Sequence, residues 1–347
     1  MRRTGKVRKH INIPIFVVHM GCPNQCVFCD QRLISGTSSF SEETVRGKIE
    51  EVLATVPPNA EVEIAFFGGS FTGIDRDLMI RLLDTAEEYV KAGKVQGIRL
   101  STRPDYISEE ILESLSRYTV REVELGVQSI SDTVLTASKR GHTAADTYRA
   151  FDLLRAAGIP FGGQMMIGLP SATVESEIRT AEEICAAGAS SCRVYPTAVF
   201  HGTELAEMTE RGEYLPLTLT DAVERMWRVL DVFDRHGVVC LRAGLCESDN
   251  MHDTDTFLAG VNHPAVGELA RSALMAERIE ENLSSLSESL CGSSIVIEVA
   301  KGAASLAAGQ HRANTLRFLE RYGIKNLKIL EKDGIIGYNN IISILSP

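Results

Sequence analysis

The chain has 347 residues, 44% of them apolar and 24% charged, with a net charge of -10. That mix belongs to a globular protein with a large core, and its acidity speaks against bulk attraction to nucleic acid while leaving room for a local basic patch. No uninterrupted apolar run approaches the roughly 20 residues of a membrane span, and the basic start MRRTGKVRKH lacks the apolar stretch of a secretory signal, so a cytoplasmic location with reduced thiols is expected.

Strand-like runs alternate with helical patterns. IPIFVVHM (13–20) reads as the first strand, and SEETVRGKIEEVLATV (41–56) has helical spacing with Val45, Ile49, Val52 and Leu53 on one face. VEIAFF (62–67) is a second strand and runs into Gly68-Gly69; a helix over 75–93 follows. IRLST (98–102) is the third strand, with a helix near 108–118 after it. REVELGVQS (121–129) is the fourth, then a helix over 143–157. IPFGGQMMIGLP (159–170), a helix over 174–188 and SSCRVYP (190–196) complete six repeats. Short loops between alternating elements mean an α/β fold with a parallel sheet, which right-handed crossovers curl into a barrel or partial barrel. Functional residues of such folds sit in loops after the strands' C-terminal ends. The conspicuous residues fall there: the cysteines after the first strand, Gly68-Gly69-Ser70 after the second, Arg103 after the third, and Gln128-Ser129 after the fourth.

MGCPNQCVFCDQ (20–31) places Cys22, Cys26 and Cys29 in a C-x3-C-x2-C run, with the next cysteine only at 185. Closely spaced thiolates bind soft or borderline metals. Structural zinc and ordinary iron–sulfur clusters want four ligands. A cubane on three cysteines would leave one iron open for a substrate-like ligand; a zinc site is the alternative.

The run, with Phe28 before its last cysteine, resembles the radical S-adenosylmethionine (SAM) superfamily. Further matches come in order: FFGGSFTG (66–73), ELGVQS (124–129), KRGHT (139–143) and MMIGLP (165–170). STRPDYI (101–107), ELGVQSI, KRGHT and RVYPTAVFHGTEL (193–205) resemble more closely the radical SAM domain of the Elongator catalytic subunit. The resemblance implies a partial (β/α)6 TIM-like barrel holding a [4Fe-4S] cluster on Cys22, Cys26 and Cys29. The open iron would take the amine and carboxylate of SAM. Reductive cleavage, fed by a donor such as flavodoxin or ferredoxin, would yield a 5′-deoxyadenosyl radical that abstracts hydrogen from a substrate. For SAM it implies Phe28 and Ile167 beside the adenine, Gly68 and Gly69 at the methionyl amine, Gln128 at the ribose and Arg140 at the carboxylate. Ser70, Ser101 and Gln164 join these as candidate SAM contacts, and Arg193, Tyr195 and His201 as candidate catalytic residues on the substrate side. Transfer RNA is the substrate that the resemblance suggests.

Several features depart from that subunit. Its first two cysteines stand farther apart, Ser101 replaces the acid of a Glu-Thr-Arg-Pro-Asp stretch, and Arg193 stands where lysine is usual. The chain lacks a convincing acetyl-CoA loop after the barrel, so acetyl transfer is not carried over. ELGVQS and the glycine-rich fifth strand also occur in oxygen-independent coproporphyrinogen oxidases, which keeps a small-molecule substrate open; a non-catalytic iron–sulfur RNA-binding protein is a further alternative.

Other residues keep two readings. Glu124 can be a ligand or a buried pair partner, and Arg193, Tyr195 and His201 can hold substrate or satisfy one another. Cys185-x6-Cys192 and Cys240-x5-Cys246 offer a second cluster or simple core packing. His252 and His263 share a polar loop with Asp249, Asp253 and Asp255, a second metal site or a solvated segment. A boundary near 245 divides a barrel (1–245) from an α+β region (246–347) whose role stays open, with substrate or RNA binding as one reading and a charged helical face as the other. From 294 that region reads β-α-α-β. Residues 301–332 carry seven Lys or Arg against two Glu, and the unit resembles KH-type RNA-binding modules, with Arg312 in place of the second glycine of a GXXG loop.

Overall fold

A computed structural model describes residues 10–17, 20–22, 26–30, 40–245, 255–286 and 290–345. Strand β1 (His10–Val17) leads to α1 (Val45–Leu53), β2 (Glu61–Gly68) and α2 (Arg76–Lys91). Then come β3 (Gly97–Thr102), α3 (Glu109–Leu115), β4 (Val120–Gln128), α4 (Asp132–Ala137) and α5 (Ala144–Ala156). β5 (Phe161–Ile167), α6 (Val174–Ala186) and β6 (Ser191–Pro196) complete the expected repeats. Next are β7 (Ala198–Phe200), α7 (Glu204–Glu210), α8 (Leu219–Arg235) and β8 (Val239–Ala243).

Strands β1 to β6 pair in sequence order, and β8 adds a seventh to the same sheet, every neighbouring pair parallel. The six-repeat partial barrel is thus present with one more strand at its edge. That strand is short, and its Val239 and Leu241 are exposed, so it carries little of the apolar run that marks buried parallel strands. The helices start where their caps dictate. Asp75 accepts from the Leu78 amide, Thr143 and Asp146 form a reciprocal capping pair, and Thr173 does so with Ser176. Each cap contributes about 1 kcal/mol. Beneath the helices, Ile64, Ile98, Leu125 and Met165 of the strands join Leu82, Leu83 and Phe151 in one core.

β9 (Phe257–Gly260) pairs antiparallel with β7, and α9 (Val266–Ser285) then lies along α8. Val266, Ala270 and Leu274 of α9 enter the barrel core, whereas Met275, Ile279 and Leu283 enter a second core. That second core is roofed by β10 (Ser294–Val299), α10 (Ala304–Ala308), α11 (Ala313–Tyr322), β11 (Asn326–Glu331) and β12 (Asn340–Leu345). β10 is central, parallel to β11 and antiparallel to β12. The expected β-α-α-β unit gains this third strand. Much of its positive charge is spent internally: Arg317 and Arg321 both grip Glu280, Lys332 pairs with Glu298 and Lys301 with Asp333. Among the described residues, no helix is long and apolar enough to cross a membrane.

Candidate active site

Two loops clasp each other above β1 and β2. The Gly69 amide donates to the Val17 carbonyl and the Ser70 amide to that of Met20. The approach is so close that a Cβ on Gly69 would lie 2.1 Å from the Met20 oxygen, and one on Gly21 would lie 2.3 Å from the Ser70 oxygen. Gly21 also holds φ +67°, a conformation costly for other residues. Gly69→Ala is expected to cost about 1–3 kcal/mol through forced displacement of both loops. Urea unfolding checks this; an unchanged midpoint would show that the clasp opens freely.

The hydroxyls beneath this clasp are committed to one another. Ser70 Oγ lies 2.7 Å from Thr102 Oγ1, Thr72 Oγ1 lies 2.6 Å from the same oxygen, and the Arg103 amide donates to Ser70 Oγ. Ser70 therefore ties the second loop to the third. Arg103 is itself held by a bidentate pair with Asp105.

The cysteine loop is anchored by its middle. The Val27 amide donates to the Ser138 carbonyl and its own carbonyl accepts from Leu205, while its side chain packs with Val199, Leu205 and Tyr214. Phe28 packs against this same cluster. Cys26 is buried, and Arg140 Nη1 donates to its Sγ at 3.4 Å while Nη2 donates to the Gly126 carbonyl at 2.9 Å. Burial, then the neighbouring Cys26 and Cys22, push the Cys29 thiol up to about 12. Three thiolates gathered this way need a cationic group among them, since coordination deprotonates thiols outright. Among the described residues, no three His, Cys, Asp or Glu side chains could hold a metal ion as they stand. By their chemistry, cysteine sulfurs with the Arg140 guanidinium beside them suit an iron–sulfur group, which cysteine thiolates hold.

Beside Cys26 and Cys29 opens a cavity of about 750 Å³, lined also by Lys139, Gly141, His142 and Glu204. A Lys139–Glu204 ion pair at 2.6 Å joins the loop before α5 to α7. His142 lines the cavity, Arg140 reaches Cys26 at its wall and Gln128 lies beside Arg140, and each keeps buried polar atoms without a protein partner. Gln128 Oε1, Arg140 Nε and both ring nitrogens of His142 are buried without a hydrogen bond. Such orphans are costly, and a cluster of them calls for a polar ligand. Gln128 also holds φ +63° where the β4–β5 register shifts, backbone strain of the kind that collects at functional sites. His142 is only 3% exposed, and burial followed by the Arg140 charge drives its pKa down to about 3, so it is a neutral imidazole. Sequence reasoning quoted this histidine within KRGHT without singling it out; its place two residues after Arg140 was the available signal.

The remaining candidates group differently. Arg193 makes a bidentate pair with Glu124 at 2.6 and 2.9 Å, hydrogen-bonds Tyr195 and lies over the Phe67 ring. Gln164 Nε2 donates to Glu124 at 2.7 Å and to Ser101 Oγ at 3.2 Å. Arg99 bridges Glu63, Glu122 and Glu124 from the other side. Ser101, Gln164, Arg193 and Tyr195 therefore meet in one lattice inside the barrel, with Glu124 as its hub. His201 stands apart, exposed, with its amide bonded to the Thr256 carbonyl. Ile167 is wholly buried in the core and its carbonyl is taken by Thr197. His263 Nδ1 accepts from the Ala265 amide. Cys246, Asp249, His252 and Asp253 lie outside the described residues.

Comparison with known proteins places this geometry. Residues 16–184 match the radical SAM superfamily and residues 189–276 the radical SAM C-terminal domain. The tRNA uridine(34) acetyltransferase of Methanocaldococcus infernus is 32% identical over 199 residues, 52% of this chain and 37% of that protein. Elongator complex protein 3 of Saccharomyces cerevisiae is 27% identical over 208 residues, 54% of this chain and 37% of that protein. The chain thus spans well under half the length of these curated relatives. In structure it resembles an N-terminally truncated archaeal Elp3 of Methanocaldococcus infernus, with a TM-score of 0.61 and 23% identity over 78% of this chain and 64% of that one, a likeness of fold. The two radical SAM models together match most of the chain, with the cysteine loop, the glycine clasp and the fourth-strand segment inside that span, so the chain belongs to the radical SAM superfamily.

Proposed function

We propose that Cys22, Cys26 and Cys29 hold a [4Fe-4S] cluster and that the chain modifies tRNA by hydrogen abstraction. When bound, that cluster would supply reductive cleavage of SAM, given an electron from a flavodoxin- or ferredoxin-type donor. The protein's share is binding, orientation and exclusion of water. The observation that carries the reading is a cavity lined by Cys26, Cys29 and the unpartnered His142, with unpartnered atoms of Arg140, which touches Cys26, and of Gln128 close by. An amino-acid carboxylate and a ribose bring the donors and acceptors that those atoms lack. Arg140, already directed at Cys26, would neutralise a carboxylate there. The tRNA assignment follows the Methanocaldococcus infernus relative, whose name specifies tRNA uridine(34).

The test is anaerobic reconstitution followed by incubation with SAM, a strong one-electron reductant and bulk tRNA. 5′-Deoxyadenosine should form, and tRNA nucleosides from a deletion strain should lack one mass species present in the wild type. Absence of 5′-deoxyadenosine from iron-loaded protein would sink the radical reading. Its formation with unchanged tRNA nucleosides would sink the substrate alone.

A further inference from the structure

Cys192 and Cys240 lie far apart in sequence, yet the β6–β8 ladder sets them directly opposite each other. In-register residues on neighbouring parallel strands point to the same face. Strands sit about 4.8 Å apart, inside the roughly 4.4–6.8 Å Cα separation that a disulfide spans. Their side chains therefore face each other across the ladder, and the Cys240 thiol donates to the Arg242 carbonyl at 3.4 Å. They occupy the helix-covered face of the sheet, because Arg193 and Tyr195, alternate in the strand, meet Glu124 inside the barrel. The pair is thus separated by the sheet from the cysteine loop at the barrel mouth.

Its surroundings distinguish the two thiols. Cys192 is 1% exposed in the core, whereas Cys240 is partly exposed on the edge strand. Arg271 of α9 donates to the Cys240 carbonyl at 3.2 Å, and its other nitrogen donates to Tyr338 Oη at 3.3 Å. The neighbouring Cys192 thiol, then the Arg271 charge, hold the Cys240 thiol below its ordinary range, against the opposing effect of burial. The Arg242 backbone, Tyr338 and, through Cys192, Cys185 of α6 complete the groups facing the pair. An accessible, thiolate-prone cysteine beside a buried resolving thiol is the arrangement of a redox-responsive pair.

We propose that Cys192 and Cys240 form a reversible dithiol–disulfide site whose oxidant is a low-molecular-weight disulfide. The Cys240 thiolate attacks one sulfur of the disulfide RSSR; a mixed disulfide forms and RS⁻ leaves. Cys192 then attacks the Cys240 sulfur, the second RS⁻ leaves, and the protons released by the two cysteines pass to the two thiolates. In sum, two protein thiols and RSSR become one protein disulfide and two RSH, and a dithiol reductant reverses the exchange. Oxidation removes the anion opposite Arg271, which also holds Tyr338 of the C-terminal unit, so the thiol state is coupled to the seam between the barrel and that unit.

The experiment incubates iron-loaded holoprotein anaerobically with glutathione disulfide, quenches in acid, alkylates and maps all eight cysteines by mass spectrometry. A Cys192–Cys240 cross-linked peptide is expected, with bound iron unchanged. Cys192→Ser should lose the cross-link and accumulate glutathione on Cys240, and Cys240→Ser should lose both adducts. In wild-type protein, alkylation of Cys240 should reach half-maximal rate below the pH of an ordinary thiol, and Arg271→Gln should shift that midpoint upward. Recovery of Cys192 and Cys240 as alkylated thiols after oxidation, or cross-links only among other cysteines, would overturn the proposal. The wild-type alkylation profile needs no variant to fold, and a Cys240 midpoint at or above the ordinary thiol value would overturn it independently.

Discussion

Cys26→Ala is expected to abolish iron binding and 5′-deoxyadenosine formation while leaving the fold in place. The side chain is buried against Arg140, so no other donor on its loop can swing into its position. Loss of one of three thiolates would leave two iron corners of a cubane open, too few protein ligands to retain it. The fold should survive because the loop is pinned elsewhere. Val27 supplies two main-chain hydrogen bonds and the apolar contacts with Val199, Leu205 and Tyr214. Removing a single buried sulfur costs on the order of 1 kcal/mol, a shift of only about 1–2 °C for a chain of this size. Metal analysis, the visible absorbance of reconstituted protein and a melting curve of the apo form check the three parts together. Cys22→Ala and Cys29→Ala should behave alike. A Cys26→Ala protein that keeps its iron and still cleaves SAM would remove the cluster assignment.

How far the sequence carried this reading depends on whether a feature is local. Strand and helix alternation shows in 3.6- and 2-residue periods, and caps such as Thr143 with Asp146 lie three residues apart, so the barrel was legible. The glycine pair was legible because only glycine allows backbones to meet at the Gly69–Met20 distance. Register is not local. That Arg193 would be spent on Glu124, that Ser70 would join Thr102, and that Cys192 would face Cys240 follow from strand pairing across long separations. Glu124 kept two readings at the sequence level because its partners lie on β3, β5 and β6. α9 shows the same limit. It was not read from the sequence as a helix, and its division between two cores depends on where β10 docks.

That Glu124 lattice sets the second large expected effect, a loss of about 3–5 kcal/mol for Glu124→Ala, the cost of breaking a buried ion pair from one side. Glu124 is 1% exposed and receives two hydrogen bonds from Arg193, one from Gln164 and a longer one from Arg99. Arg99 would keep Glu63 and Glu122, with His10 and Arg121 also drawn to Glu63, so its charge stays compensated. Arg193 would not. It would retain only Tyr195 and the Phe67 face, with a guanidinium that remains charged at any accessible pH. Most of the loss therefore arises at Arg193. It follows that Arg193→Met in the Glu124→Ala background should recover part of the stability, and a double-mutant cycle from urea unfolding measures the coupling. The same cycle separates the two roles open to Arg193. If it serves the lattice, Arg193→Met with Glu124 present should destabilise the protein yet leave substrate-independent SAM cleavage near the wild-type rate. A Glu124→Ala loss below about 1 kcal/mol, within the range of an exposed pair, would show that Arg193 is free to leave the lattice and would return it to the substrate side.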